Sequence, residues 1–204
     1  KASVNSARTS ITFRAALCAF AITGCLVSGI AEANVVQGPG AAATGSNSVA
    51  VGDNAKSAGA KSVAIGNDAV TLATSENGIA IGNGAKAEGQ QRVKVPYPAG
   101  TIAIGQGSVA KENGDIVIGR QAKSTISKYH QQPGSGAVVM GAEAASYGSR
   151  GDVVIGAAAE ANIIRKNATV DGDGQLFSQS VAIGSVAKVY GTQSVAIGGD
   201  VRSI

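Results

Sequence analysis

Residues 194–198 read S-V-A-I-G, the same five letters stand at 180–184 and 62–66, and residues 48–52 read S-V-A-V-G. Aligned on the last glycine of this word, the chain shows nine copies, ending at Gly52, Gly66, Gly82, Gly105, Gly119, Gly141, Gly156, Gly184 and Gly198. The spacings are 14, 16, 23, 14, 22, 15, 28 and 14 residues, so the unit is 14 with insertions. A degenerate copy, Val35-Val36-Gln37-Gly38, lies 14 residues before Gly52 and brings the count to ten. A fixed period of this kind signals a stacked repeat architecture.

Within each copy a large apolar residue stands three positions and one position before the glycine, as in Val63 and Ile65 or Ile116 and Ile118. Between them lies Ala, or Val at Val117, Val139 and Val154. Alternation with period two, carried by β-branched residues, marks a strand. After the glycine come turn formers such as Asp53-Asn54, Asn67-Asp68 and Asn83-Gly84. A second alternating stretch follows, small on one face: Ala55 and Ser57, Ala69 and Thr71, Ala122 and Ser124. Each unit therefore predicts two strands of about five residues and two tight turns, each coil stacking ~4.8 Å from the next. The expected fold is all-β, a single-chain parallel β-roll or β-solenoid of 14-residue coils. The large Val and Ile are expected inside, facing the small Ala and Ser of the other wall. Val117, Val139 and Val154 then fall on the outer face.

Other repeat folds fit less well. A hexapeptide β-helix needs an aliphatic residue every six positions, and a calcium-binding roll needs repeated G-G-x-G-x-D. Asp171-Gly172-Asp173-Gly174 occurs once and reads as a turn. Many of the 29 glycines sit at a structural period, and no phosphate-binding loop motif is present. Hydrophobic content of 44% and the strict aliphatic positions argue against disorder.

Residues 1–33 have the pattern of a long secretory signal peptide: basic Lys1, Arg8 and Arg14, an apolar run from Ala15 to Ile30, then Ala31-Glu32-Ala33. That run is shorter than the ~20 residues a membrane span needs. It continues past Cys25, which a lipoprotein signal does not. Without Lys1, Arg8, Arg14 and Glu32 the formal charge falls from +4 to +2, too mild to argue for nucleic acid. Cys18 and Cys25 both lie in this segment, so residues 34–204 hold neither a disulfide framework nor a thiol nucleophile. With aromatics at 3%, no Trp and no covalent staple, the interior of such a roll is thin. Self-association is the expected second source of buried surface, with the Val117, Val139 and Val154 face against neighbouring subunits.

The unit S-V-A-I-G-x-x-A-x-A-x-G-x-x, best matched by 184–198 and 52–66, resembles the head repeats of trimeric autotransporter adhesins of the YadA type. The resemblance spans about residues 34–204. It implies a left-handed roll, a homotrimer around one axis, display at the cell surface on the outer membrane of a Gram-negative bacterium, and a part in virulence by attachment to host matrix proteins or cell receptors. Family members continue into a neck, a heptad stalk and a C-terminal membrane anchor. The sequence begins with Lys and stops at Ile204 without heptads, so an excised or incomplete head is expected.

The long spacings place insertions at about 85–100, 123–136 and 162–179. They carry the candidate ligand contacts: Arg92, Lys94 and Tyr97; Lys128, Tyr129 and His130; Arg165, Lys166 and Phe177. Loops on a rigid scaffold commonly carry recognition, and Tyr beside Arg or Lys suits a contact surface. Tyr147 and Tyr190 share one repeat position and are expected in structural roles at the outer edge near a turn. His130 has no Cys and no spaced Ser-Asp partner, so no catalytic residue, cofactor or metal site is assigned and no enzyme is expected. The leading reading is an adhesin head. The alternative is a structural spacer that projects another module and has no ligand of its own.

Overall fold

The computed structural model describes residues 34–90, 100–125, 136–147, 151–162, 179–191 and 193–204, all within the unit Glu32–Ile204. The signal-like segment 1–33 lies outside the described residues. Every repeat becomes one rung. Its first strand joins one parallel sheet and its second strand joins another, with ten strands in each sheet among the described residues. The rungs stack in chain order without crossovers. Rung 1 is Val35–Gln37 with Ala42–Ala43, and it confirms the degenerate first copy. Rung 10 is Val195–Ile197 with Arg202–Ser203. Register follows the repeat: Val35 pairs with Val49, Val49 with Val63, and Val63 with Ile79. Insertions do not shift it in the first sheet, since Ile79 pairs with Ile102 and Ile116 with Val138.

Strand pairing is shorter than expected. The first sheet uses three residues per rung and the second mostly two, as in Val63–Ile65 and Val70–Thr71. The corners take the remainder. At the first corner the aligned glycine adopts φ between +121° at Gly52 and +142° at Gly119. A Cβ on Gly66 would lie 2.7 Å from the carbonyl carbon of Gly82 one rung on. Glycine is required there by both conformation and stacking distance. Two residues later the chain is left-handed again, at Asn54, Asp68 and Gln121, but also at Val186 with φ 59°. Asn and Asp accept that conformation readily, whereas a β-branched residue there is strained.

The inside and the outside are the reverse of the expectation. Ala50, Ala64, Ala80 and Ala103 at the centre of the five-letter word are fully buried, and so are Val117, Val139 and Val154. They face Ala55, Ala69, Ala122, Ser57 and their equivalents from the second sheet, which are also fully buried. The flanking Val and Ile point outward and are half-buried or exposed, Ile65 at 38% and Ile197 in the last rung at 64%. Alternation shows that two sets of side chains face opposite ways, but a one-residue change of parity exchanges them. Both sets are apolar here, so pattern did not choose between them. The space inside a 14-residue coil did: it admits the small set and has no room for paired Ile. Val117, Val139 and Val154 are thus the bulkiest members of the interior and no part of an outer face.

Two substitutions check the corner argument by thermal or urea unfolding. Gly66→Ala is expected to destabilise by about 3 kcal/mol, through a strained backbone and the clash with Gly82. Val186→Asn is expected to stabilise by about 1 kcal/mol by relieving the left-handed Val.

Candidate functional site

The second corner of each coil runs from the end of the second-sheet strand to the start of the next first-sheet strand. In an uninterrupted rung it is short. Between Lys56–Ser57 and Val63–Ile65 only residues 58–62 intervene. This corner is lined by buried hydroxyls that satisfy one another. Ser57 Oγ lies 2.7 Å from Ser62 Oγ, Ser62 Oγ is 2.8 Å from Thr71 Oγ1, and Ser62 Oγ donates to the Gly59 carbonyl at 2.6 Å. Small hydroxyls suit a buried corner whose backbone carbonyls need donors.

All three long insertions leave from this same corner. The chain departs after Lys86–Gln90 and returns at Ile102–Ile104; it departs after Lys123–Ser124 and returns at Val138–Met140; it departs after Glu160–Ala161 and returns at Val181–Ile183. These are rungs 4, 6 and 8, so the exit points lie along one edge of the roll at every second rung, ~10 Å apart. Lys86–Gln90 and Lys123–Ser124 belong to the second sheet, so those residues are parts of the roll itself. The nine candidate contacts, Arg92, Lys94, Tyr97, Lys128, Tyr129, His130, Arg165, Lys166 and Phe177, all fall at 91–99, 126–135 or 163–178, outside the described residues.

Two aspartates hold the edge where the second and third insertions leave and return. Asp115 occupies the repeat position of Ser48 and Ser62 and is buried. Its Oδ2 accepts from Ser124 Oγ at 2.6 Å and from the Glu112 amide at 3.0 Å, and its Oδ1 accepts from the Ala137 amide at 3.1 Å. Ser124 and Ala137 flank the second insertion on its two sides. Asp152 repeats the arrangement two rungs on. Its Oδ2 accepts from Ser146 Oγ at 2.6 Å and Asn162 Nδ2 at 2.8 Å, and its Oδ1 accepts from the Ser180 amide at 3.1 Å. Asn162 and Ser180 bracket the third insertion. A carboxylate accepts more bonds than the serine hydroxyl it replaces, so one side chain ties both ends of a long loop to the stack. The readable signal is Asp at a repeat position where other copies carry Ser48, Ser62, Ser180 and Ser194.

At the first insertion the corner is built differently. Gly89 adopts φ 55°, and a Cβ there would lie 2.8 Å from both Asn113 Oδ1 and Ser75 Cβ. Among the described residues, the Asn113 side-chain amide and Ser75 Oγ are buried without a hydrogen-bond partner.

Tyr147 is not at an outer edge. It is 7% exposed, its hydroxyl donates to Glu160 Oε1 at 3.1 Å, and Lys123 Nζ stands 5.6 Å from its ring centroid. Glu160 also meets Lys188 at 3.6 Å. Tyr190 is half-buried. Among the described residues no group of three or more His, Cys, Asp or Glu is arranged to hold a metal ion.

Asp152→Ala is expected to lower stability by about 3 kcal/mol, because it strips a charged acceptor from three buried donors. Hydrogen exchange checks the local origin of that loss: the Ser180 amide should lose protection well before amides of the first sheet.

No curated protein matches the chain. The family model described as the YadA head domain repeat matches residues 43–69, 73–91, 99–122 and 178–200. Those segments fall on rungs 1 to 6 and on rungs 9 and 10, and leave out the two rungs between the second and third insertions. The chain thus carries YadA head domain repeats, the repeats that build the heads of trimeric autotransporter adhesins.

Proposed function

We propose that this chain is the head of a homotrimeric adhesin at the surface of a Gram-negative bacterium, attaching the cell to host matrix proteins or cell receptors. The observation that carries attachment is the gathering of all three insertions along one edge of a rigid, repetitive scaffold. Recognition loops are commonly displayed from a rigid scaffold, and alternate rungs space the points of departure ~10 Å apart. The sequences of the insertions hold three of the five aromatic residues of 34–204: Tyr97, Tyr129 and Phe177.

The trimer is supported by the outer face of the first sheet. From Val49 and Val51 to Val195 and Ile197, nine successive rungs place two aliphatic or Met side chains outward, in register. Monomeric soluble proteins rarely expose so continuous an apolar stripe. Its burial between copies supplies the hydrophobic surface that an interior of Ala and Ser lacks. Three heads on one axis also multiply weak contacts through effective concentration.

Sedimentation equilibrium of the purified protein should give three times the monomer mass, and Ile81→Lys with Ile104→Lys should abolish the trimer. A folded wild-type monomer would refute this part of the reading. In solid-phase assays the protein should bind at least one of collagen, fibronectin, laminin or intact host cells. Failure on all of them points to the spacer. The spacing from Gly119 to Gly141 is 22, so deleting residues 126–133 restores the period of 14 without touching Lys123–Ser124. Binding that survives this deletion unchanged retires the second insertion as the contact.

A further inference from the structure

The second sheet carries the opposite chemistry on its outer face. Register places one residue per rung in a single column: Ala42, Lys56, Val70, Lys86, Val109, Lys123, then the buried Ala145, followed by Glu160, Lys188 and Arg202. Lys56, Lys86, Lys123 and Arg202 are exposed and Lys188 is half-buried. Lys111, half-buried, adds a sixth cation beside the column on the Val109–Glu112 strand. Against them the same face has Glu88 and Glu160, and Glu160 is engaged by Lys188 and Tyr147.

The spacing is regular. Lys56, Lys86 and Lys123 stand two rungs apart, ~10 Å, with a short aliphatic Val between each pair. Like charges directly opposite one another on adjacent strands repel. The intervening Val70 and Val109 keep the lysines from facing each other along a positive stripe from Lys56 to Lys123, which the buried Ala145 and then Glu160 separate from Lys188 and Arg202. From Lys56 to Arg202 the column spans eight rung steps, ~38 Å. Neighbouring cations lie about one Debye length apart at physiological salt, so a small anion meets only one or two of them. A long polyanion with charges at regular intervals meets Lys56, Lys86 and Lys123 together.

We infer that this column binds an anionic sulfated polysaccharide laid along the stacking axis. The inference rests on the attachment reading and gives it a ligand class. Single-stranded nucleic acid is recognised on exposed aromatic platforms. Among the described residues this face has no fully exposed aromatic: Tyr147 is buried beneath Lys123, and Tyr190 is half-buried. Flat ammonium-to-sulfate pairing along a rigid rod requires only what the column holds. The face lies on the opposite sheet from the aliphatic stripe, so trimer formation through that stripe leaves the column available.

The test uses the purified protein on immobilised heparin with a salt gradient. Retention at physiological salt, lost when the heparin is desulfated, is expected. Lys56→Gln, Lys86→Gln and Lys123→Gln together should weaken binding tenfold or more and flatten its salt dependence, with circular dichroism unchanged. Lys61→Gln with Arg120→Gln, at the corners, should leave binding as in the wild type. No retention of the wild type, equal retention of the triple variant, or equal binding to duplex DNA would overturn the inference. Attachment to host cells separates the two readings. Attachment that persists undiminished after heparinase treatment overturns the polysaccharide and keeps the adhesin. Absence of any attachment, to untreated cells or to matrix, removes the adhesin reading itself.

Discussion

A 14-residue coil closed by two tight corners encloses so little space that only small side chains fit within it. Everything else in the molecule follows from that narrow interior. Ala from one sheet meets Ala or Ser from the other, and Val at 117, 139 and 154 is the largest that the first sheet places inside. The corners are tight because glycines of successive rungs lie almost in contact, with no room for a Cβ between Gly66 and Gly82. Such an interior buries little apolar surface per residue ordered, and it has no disulfide to help it.

The aliphatic residues excluded from the interior do not become a liability. They form one stripe along the outside of the first sheet, and a surface of that kind is what an obligate assembly buries. The second sheet shows Lys, Glu and short aliphatics instead, a face compatible with water. One roll thus divides its outer surface into an apolar wall and a charged wall, because each rung contributes the same outward positions in the same register. The repeat copies a chemical choice along the whole stack.

Long insertions are tolerated at the second corner for the same reason that they are absent from the first-sheet strands. A corner adds residues to solvent without disturbing the ladder, whereas an extra residue in a three-residue strand would turn its side chains to the wrong wall. Closing a longer loop costs only slightly more entropy. The local demand is to secure its two ends, and Asp115 and Asp152 meet it with buried carboxylates that reach both sides of the gap.

Much of the architecture was legible in the residues themselves. The glycine period revealed ten coils, the degenerate first copy among them, and Asn or Asp after the glycine located the left-handed corner. The lengths of the spacings located the insertions. Those features are local, because turn conformation and strand alternation are properties of a few consecutive residues. Which set of apolar side chains faces inward was decided only when two sheets met across a fixed gap, since Ala and Ile alternate identically whichever way the strand is turned. The roles of Asp115 and Asp152, the burial of Tyr147 and the cationic column were likewise beyond linear reading. Each joins residues from different rungs, and stacking alone brings those rungs together.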